Sequence, residues 1–252
     1  MRLLILGGTT EASALARAVA TNARIAATLS LAGRTARPAT APVAVRVGGF
    51  GGAAGLAGYL REAGIDAMVD ATHPFAARVS RNAIAAAHEA RVPLLRIARP
   101  AWQAVAGDQW REAADMAHAA ALLGHVPQRV FLTVGQQDLA PFQMAPWHHY
   151  VVRSVEPPPP ASLPPDAVTI QARGPFGLTE ELALLRLHRI EVLVSKNSGG
   201  TATTAKLAAA RAMGLPVVMV ARPPDPPTQP GQTVADAAAA MAWVTGLLPP
   251  FL

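Results

Sequence analysis

The chain has 252 residues, of which 51% are hydrophobic and 15% charged, and its formal net charge is +6. This length and composition predict a compact globular protein with one large or two small domains and exclude a disordered chain. Because cysteine is absent, disulfides, thiolate nucleophiles and cysteine-ligated metal centres are excluded as well. The apolar N-terminus is too short for a signal peptide, and no uncharged run approaches the roughly 18 apolar residues of a membrane helix. We therefore expect a soluble, cytoplasmic protein with no membrane partner.

The positive charge raises the question of a nucleic-acid partner. The arginines are scattered along the chain, and aromatic residues make up 5% of it, which is too few for a base-stacking platform. A basic surface can instead steer a small polyanionic ligand to its site. We therefore expect a small-molecule ligand and no nucleic acid, and the sequence leaves the oligomeric state open.

Apolar, strand-like runs alternate with alanine-rich helical stretches from one end of the chain to the other, which predicts a parallel α/β fold. In the first half the predicted strands cover residues 3–6, 25–31, 43–47, 67–70 and 93–97, and the predicted helices cover 11–20, 53–63, 76–90 and 112–123. In the second half the strands cover 130–134, 149–152, 168–171, 191–194 and 217–220, and the helices cover 179–188, 203–213 and 235–247. The proline-rich segments 156–165 and 222–230 are predicted to be surface loops, since proline cannot sit inside a helix or a central strand.

A weak internal repeat indicates two halves. Residues 90–100 and 213–223 share one spacing, because each segment ends a helix, enters a strand and leaves through an Arg-Pro pair. We predict domains at 1–125 and 126–252, with the boundary near 124–128. Independent convergence on a common helix–strand joint is the alternative explanation for this single match.

The first strand runs into Gly7-Gly8-Thr9-Thr10-Glu11 and then an alanine-rich helix. This arrangement is typical of a dinucleotide-binding turn, in which glycines admit the pyrophosphate and the helix N-terminus offers N–H groups. The third glycine of the usual motif is missing. A plain strand–helix turn capped by Thr10 is therefore the alternative.

The end of the second predicted strand indicates which dinucleotide would bind. An NAD site usually places an acidic residue about 20 residues after the glycines, to hold the ribose 2′-hydroxyl. Here no acidic residue occurs between Glu11 and Glu62, and the loop offers Ser30, Arg34 and Arg37 instead. A hydroxyl and guanidinium groups suit a 2′-phosphate, so the sequence predicts NADPH, with a solvated basic loop as the alternative.

Two further loops follow predicted strands. Four glycines among residues 48–52 predict close approach of the backbone to a ligand, or else a sharp turn. Residues 70–76 place Thr72 and His73 where they would flank a nicotinamide. A lone loop histidine can equally be structural.

Both lysines of the chain, Lys196 and Lys206, flank one stretch rich in Ser, Gly and Thr. The chain uses 20 arginines elsewhere, so these two positions are predicted to need a compact ammonium rather than a planar guanidinium. The stretch follows an apolar run at 190–194, and parallel sheets bind ligands beyond the carboxyl ends of their strands. Chance proximity of two residues is the alternative.

Other common sites are absent from the sequence. Neither tyrosine is followed by a lysine four residues later, as a short-chain dehydrogenase requires, and no phosphate-loop motif occurs. No H-E-x-x-H or comparable ligand spacing occurs either, so we expect no metal.

With these motifs in place, the chain resembles the precorrin-6A reductase family of cobalamin biosynthesis. The resemblance spans nearly the whole chain, through residues 4–12, 30–35, 48–52, 70–76, 133–135 with 139–142, 196–200 and the two Arg-Pro segments. It implies two Rossmann-like parallel-sheet domains with a cleft between them, the first binding NADPH and the second contributing to the substrate cleft. It also implies reduction of one double bond of precorrin-6A to give precorrin-6B, by hydride transfer followed by protonation.

The resemblance and the loops together give the candidate residues their roles. The cofactor-binding candidates are Gly7, Gly8, Thr9, Thr10, Glu11, Ser30, Arg34, Gly48, Thr72 and His73. The substrate-binding candidates are Lys196, Asn197, Ser198, Gly199, Gly200, Thr201 and Lys206. His73 and Lys196 are candidates for donating the proton or positioning the substrate, with a substrate carboxyl or water as the alternative. Two alternative functions stay open: reduction of cobalt-precorrin-6A, and a non-catalytic NADP-binding sensor.

Overall fold

A computed structural model describes residues 1–33, 40–226 and 232–249. The chain forms two compact units, one made of Met1–Pro100 with Pro223–Leu252 and the other of Ala101–Arg222. In chain order the elements are β1 (Arg2–Leu6), α1 (Thr10–Ala20), β2 (Ala26–Leu31), β3 (Ala44–Val47), α2 (Ala53–Glu62), β4 (Ala67–Asp70), α3 (Ala77–Ala90), β5 (Leu94–Ile97), β6 (Gln109–Ala113), α4 (Met116–Leu122), β7 (Arg129–Leu132), β8 (His149–Ser154), β9 (Ala167–Gln171), α5 (Leu178–Leu187), β10 (Val192–Lys196), α6 (Ala205–Ala212), β11 (Pro216–Val220), β12 (Thr233–Val234) and α7 (Ala237–Gly246). None of the helices in these ranges has the length and apolarity that crossing a bilayer requires.

Each unit contains one parallel sheet, and the two sheets share a strand order. The first sheet runs β12-β5-β4-β1-β2-β3, and the second runs β6-β11-β10-β7-β8-β9. Both sheets have the doubly wound, Rossmann-like order. From a central strand, β1 or β7, the next two strands are added on one side, and the chain then crosses to the other side of that strand. The predicted fold class, two Rossmann-like parallel-sheet domains, is confirmed in these sheets. The reversal falls between β1 and β4 in one unit and between β7 and β10 in the other.

Burial on both faces explains the continuous apolar strands. On one face of the first sheet Leu3 and Ile5 pack against α1 and α7, whereas Leu4 and Leu6 on the other face pack against α2 and α3. A strand covered on both faces cannot alternate apolar and polar residues, so it reads as an uninterrupted apolar run. The segment at 192–194 is fully buried in the second sheet for the same reason.

The observed units differ from the predicted ranges 1–125 and 126–252. The strand β6 pairs with β11 of the second sheet, and β12 pairs with β5 of the first. Each sheet therefore receives its sixth strand from a part of the chain that the sequence-based boundary assigns to the other half. The helix predicted over 112–123 also begins later, at Met116, because Glu112 and Ala113 complete β6 and the Asp115 carboxylate accepts a hydrogen bond from the His118 N–H as N-cap.

The internal repeat corresponds to equivalent structure. The residue that ends α3, Arg91, and its counterpart Gly214 after α6 both have a left-handed backbone, with φ of 56° and 63°. The chain passes from one unit to the other at each Arg-Pro pair, after Pro100 and after Arg222. A second correspondence is visible only in the structure.

That second correspondence ties the first strand of each sheet to the strand beside it. The Arg2 N–H donates to the Asp66 carboxylate at 2.6 Å, and the Arg129 N–H donates to the Glu191 carboxylate at 2.7 Å. Asp66 and Glu191 immediately precede β4 and β10, respectively. The two sheets are thus fastened in the same way at the edge opposite to their ligand-binding ends.

Candidate active site

The turn between β1 and α1 is fastened to the loop after β4. Thr9 caps the helix, since its Oγ1 accepts a hydrogen bond from the Ala12 N–H at 3.1 Å. The same hydroxyl donates to the Ala71 carbonyl at 2.7 Å. The cap is therefore Thr9 and not Thr10, and it joins the two loops that flank the reversal point of the first sheet.

The backbone of this turn has the features of an anion site. Gly8 has a φ of 111°, and a Cβ placed there would meet no atom within 4 Å, so the space beside it is open. At Gly7 a Cβ would lie 2.5 Å from Leu29 Cδ1, so any side chain there would have to displace Leu29. The N–H groups of Thr10 and Glu11 belong to the first turn of α1 and have no acceptor within the helix. Such amides, with the positive end of the helix dipole, fit a phosphate group.

A partly buried ion pair lies beside these amides. Arg99, which follows β5, donates from Nη1 to Glu11 Oε2 at 2.7 Å, and the two side chains are 13% and 18% exposed. The guanidinium offsets the negative charge that Glu11 places at the helix N-terminus, where a phosphate would otherwise be repelled. Arg99 was not among the residues predicted from the sequence, although its place in the repeated Arg-Pro segment was visible.

The loop after β4 is stabilised by hydrogen bonds among its own residues and with the end of the strand. The Asp70 carboxylate, which is 2% exposed, accepts hydrogen bonds from both the N–H and the Oγ1 of Thr72, at 3.0 and 2.7 Å. His73 is half-buried, and its Nδ1 accepts a hydrogen bond from the Phe75 N–H at 3.2 Å. A small pocket is lined by side chains from both loops and from β5, namely Thr9, Glu11, Ala71, Thr72, Pro74, Ile97 and Arg99.

The remaining cofactor candidates lie along the neighbouring strands. Ser30 is 5% exposed inside β2, and Arg34 lies outside the described residues. Gly48 has a φ of 122° and begins the glycine-rich loop after β3. Arg46 holds that loop, because its guanidinium donates to the Gly48 and Gly49 carbonyls at 2.5 and 2.9 Å. The same guanidinium lies over the Phe50 ring, 3.8 Å from its centre, a role of Arg46 that was not predicted from the sequence.

In the second unit, Lys196 ends β10 at the reversal point. Its Nζ donates to Asp138 Oδ2 at 2.8 Å, and the N–H of Gly135 donates to the same oxygen at 3.2 Å. A Cβ on Gly135 would lie 3.1 Å from that oxygen, so glycine permits the close approach. The structure thus brings Lys196 together with residues 133–138, which follow β7.

The loop after Lys196 is clamped by Trp102. The Asn197 side chain accepts from the Trp102 N–H at 2.8 Å and donates to the Trp102 carbonyl at 3.0 Å, while the indole Nε1–H donates to the Gly200 carbonyl at 2.8 Å. Gly199 and Gly200 have φ of 66° and 77°, which favours glycine at both positions. Ser198 is 7% exposed and Thr201 is exposed. The Asn197 side chain therefore shapes the loop.

Lys206 differs from the other substrate candidates because it is buried. It lies in the first turn of α6 with 4% of its surface exposed, and its Nζ donates to Thr133 Oγ1 at 3.0 Å. Burial lowers the pKa of Lys206 to about 7, with the positive charges of Arg153 and Lys196 acting in the same direction and Glu181 opposing them. Neither this burial nor the part played by Thr133 was evident from the sequence, although residues 133–135 belong to a motif of the resemblance.

The chain matches the family model described as Precorrin-6x reductase CbiJ/CobK over residues 2–245. It is 51% identical to a precorrin-6A reductase of Rhodococcus erythropolis, over 96% of this chain and 97% of that one. A cobalt-precorrin-6A reductase of Priestia megaterium is 30% identical, over 88% of this chain and 90% of that one. A solved structure described as CobK precorrin-6A reductase superimposes with a TM-score of 0.92 at 46% identity, covering 98% of this chain and 96% of that one.

Proposed function

The chain belongs to the precorrin-6x reductase CbiJ/CobK family, and from that premise we propose that it reduces one double bond of the precorrin-6A macrocycle to give precorrin-6B, in cobalamin biosynthesis. The observation that carries the proposal is 51% identity to a curated precorrin-6A reductase across 97% of that relative's length. Sequence similarity of that extent covers both sheets and the candidate site residues that follow their strands.

A nicotinamide cofactor supplies the hydride for such a reduction. The turn after β1 fits it, because Gly8 leaves open space beside the amides of Thr10 and Glu11, and Thr9 fixes the turn against the loop after β4. Gly7 to Glu11 would hold the pyrophosphate, and Thr72 and His73 would flank the ring. We propose NADPH rather than NADH, since the sequence after β2 carries Arg34 and no acidic residue.

The macrocycle carries several carboxylates, and the second unit presents cationic and polar groups at the corresponding edge of its sheet. We propose that Lys196 and the loop from Asn197 to Thr201 receive one of these carboxylates. The ammonium of Lys196 is already oriented by Asp138, so it can pair with a carboxylate without being ordered on binding. His73, whose Nδ1 accepts a backbone hydrogen bond, is assigned a positioning role beside the cofactor.

The alternatives are less well supported. The cobalt-precorrin-6A reductase of Priestia megaterium is 30% identical, against 51% for the precorrin-6A reductase of Rhodococcus erythropolis. A non-catalytic NADP sensor would need the turn at Gly7 to Glu11 but not the second set of basic groups at Lys196 and Lys206.

The test is anaerobic incubation of the purified protein with precorrin-6A or cobalt-precorrin-6A, each with NADPH and with NADH. We expect the mass of precorrin-6A to increase by one hydride and one proton, in step with oxidation of NADPH. Faster reduction of the cobalt form would transfer the assignment to the alternative substrate, and binding of NADPH without any reduction would contradict the proposal. Replacing Arg34 by Glu should weaken NADPH far more than NADH, and equal losses would contradict the 2′-phosphate assignment.

A further inference from the structure

We propose that Thr133 and Lys206 form a relay that delivers the proton completing the reduction, with Thr133 as the group in contact with the macrocycle and Lys206 as the source behind it. This inference rests on the proposed function. It assigns Lys206 a role other than binding a carboxylate of the substrate.

Thr133 is placed where a ligand of the second sheet would bind. It directly follows β7, whose neighbours are β8 and β10, and so it lies at the reversal point of the strand order. Its side chain is half-buried, and its Oγ1 donates to the Val194 carbonyl at 3.0 Å while accepting from Lys206 Nζ at 3.0 Å. A hydroxyl rotates about its C–O bond, so the Thr133 hydrogen can turn from the Val194 carbonyl toward a ligand while Lys206 still donates to the oxygen.

Lys206 is held in surroundings that oppose its charge. It is 4% exposed, and it lies in the first turn of α6, where the helix dipole disfavours a cation. The charged groups that face it are Arg153 from β8, Glu181 from α5 and Lys196 from β10, and the Trp102 ring centre lies 5.6 Å from its Nζ. A methionine would fill this space without the cost of a buried ammonium. Packing therefore does not account for the lysine.

The same surroundings tune the lysine for proton transfer at neutral pH. Burial, reinforced by Arg153 and Lys196, lowers the pKa of Lys206 to about 7. Glu181 opposes this shift, because its negative charge favours the protonated form of Lys206. It pairs with Arg153 at 2.7 Å, and its second oxygen has no hydrogen-bond partner among the described residues. A general acid is most effective when its pKa lies close to the working pH.

Hydride addition to one carbon of the double bond leaves an electron pair on the other carbon, which takes the proton of the Thr133 hydroxyl and forms the new C–H bond. The Thr133 oxygen is reprotonated from the Lys206 ammonium as that N–H bond breaks, and the neutral amine then recovers a proton from solvent. No oxidant or reductant other than the nicotinamide cofactor is needed.

The test compares Thr133→Val, Thr133→Ser and Lys206→Met with the unchanged enzyme, under anaerobic steady-state conditions with precorrin-6A and NADPH. Removing the hydroxyl should lower kcat roughly 100-fold, in line with the contribution of general acids, with little change in KM. Serine should restore much of the lost rate, because it returns the hydroxyl. The kcat of the unchanged enzyme should fall as the pH rises above about 7, and this dependence should disappear in Thr133→Val and in Lys206→Met.

The outcomes separate the relay from the proposed function. The relay is overturned if the Thr133→Val enzyme keeps its kcat and its pH dependence, or if its only change is a higher KM. Precorrin-6A reduction as the proposed function stands in either case. Failure of the unchanged enzyme to reduce precorrin-6A overturns the proposed function itself. Affinity for NADPH and the far-ultraviolet circular dichroism of each variant report folding. If Lys206→Met does not fold, the Thr133→Val and Thr133→Ser pair still decides.

Discussion

The two sheets share a strand order, yet they present different chemistry at the carboxyl ends of their strands, called here the first edge in the first sheet and the second edge in the second. After β1 the chain enters α1 directly, so the first edge offers backbone amides and the dipole of an eleven-residue helix. After β7 the chain forms only short 3₁₀ helices at Gln136–Asp138 and Ala140–Met144, and the second edge offers the ammonium group of Lys196, with Lys206 buried behind Thr133. Each arrangement attracts anions, the first through the main chain and the second through side chains.

This difference determines what each edge tolerates. A main-chain site depends on close approach and is disrupted by an added Cβ, whereas a side-chain site depends on placed charges and is disrupted by their removal. The first edge suits a phosphate, which two or three amides can surround. The second suits carboxylates carried on a large ligand, because an ammonium group held in place, such as that of Lys196, can pair with them.

The largest expected effect comes from adding one methyl group near the first edge. A Cβ at Gly55 in α2 would lie 1.8 Å from the Phe50 carbonyl oxygen, so Gly55→Ala must displace the glycine-rich loop. We expect a loss of about 3 kcal/mol in the free energy of unfolding, measured with urea. Gly58→Ala in the same helix is the control, because the nearest atom to its Cβ is 4.0 Å away. A gain of about 0.5–1 kcal/mol is expected there. Equal effects at the two positions would contradict the close-approach argument.

The second prediction concerns the ion pair at the first edge. Arg99→Met would leave the Glu11 carboxylate uncompensated beside the phosphate-binding amides. The affinity for NADPH should fall about tenfold, equivalent to about 1.4 kcal/mol, as measured by fluorescence titration. The double variant Arg99→Met with Glu11→Gln should recover most of that affinity. If it does not, Arg99 contacts the cofactor directly, and its effect does not pass through Glu11.

The third prediction tests the buried charge at the second edge. Burial lowers the pKa of Lys206 from 10.5 to about 7, so between these values the unfolded chain binds more protons than the folded protein. The contribution of Lys206 to the free energy of unfolding is therefore most favourable above pH 10.5, and it becomes less favourable as the pH falls to about 7. Lys206→Met should be the more stable protein at pH 7, and its advantage should shrink toward pH 10. Urea unfolding curves at several pH values measure this, and parallel curves for the two proteins would contradict it.

The smallest effects should come from the sixth-strand segments, where the two units are alike. The Asp115 carboxylate caps α4 by accepting from the His118 N–H, and the Asp236 carboxylate caps α7 by accepting from the Ala239 N–H, both at 2.8 Å. Replacing either aspartate with Ala should cost about 1 kcal/mol of unfolding free energy. A much larger loss at one cap would show that its sixth-strand segment stabilises its unit more strongly than the other does.

Sequence patterns predicted the fold wherever structure follows from local burial. The central strands were predicted within about two residues, because strands buried on both faces are continuous apolar runs. The strands β6 and β12 were missed, the first because the polar pattern around Trp110 is typical of an exposed edge, the second because it has only two residues. The domain ranges differed for a non-local reason, since no local pattern reveals which sheet a crossing segment joins.

The candidate site was predictable to a similar extent. The turn at Gly7 to Glu11 and the loop at Lys196 stand out through their glycines and their position after apolar runs. The positions of Arg99 and Thr133 depend on which strands become neighbours, and the burial of Lys206 depends on tertiary packing around α6. These features required the structure.

Because each sheet takes its sixth strand from a distant part of the chain, the two sheets become complete at different times during translation. The ribosome releases β1 to β5 early, but the partner of β5 arrives only with residues 232–234, whose carbonyls accept hydrogen bonds from the Arg96 and Ala98 N–H groups. The second unit, although encoded later, has all of its strands by Val220. At usual translation rates the β5 edge stays exposed for on the order of ten seconds, so the nascent chain completes its second sheet before its first.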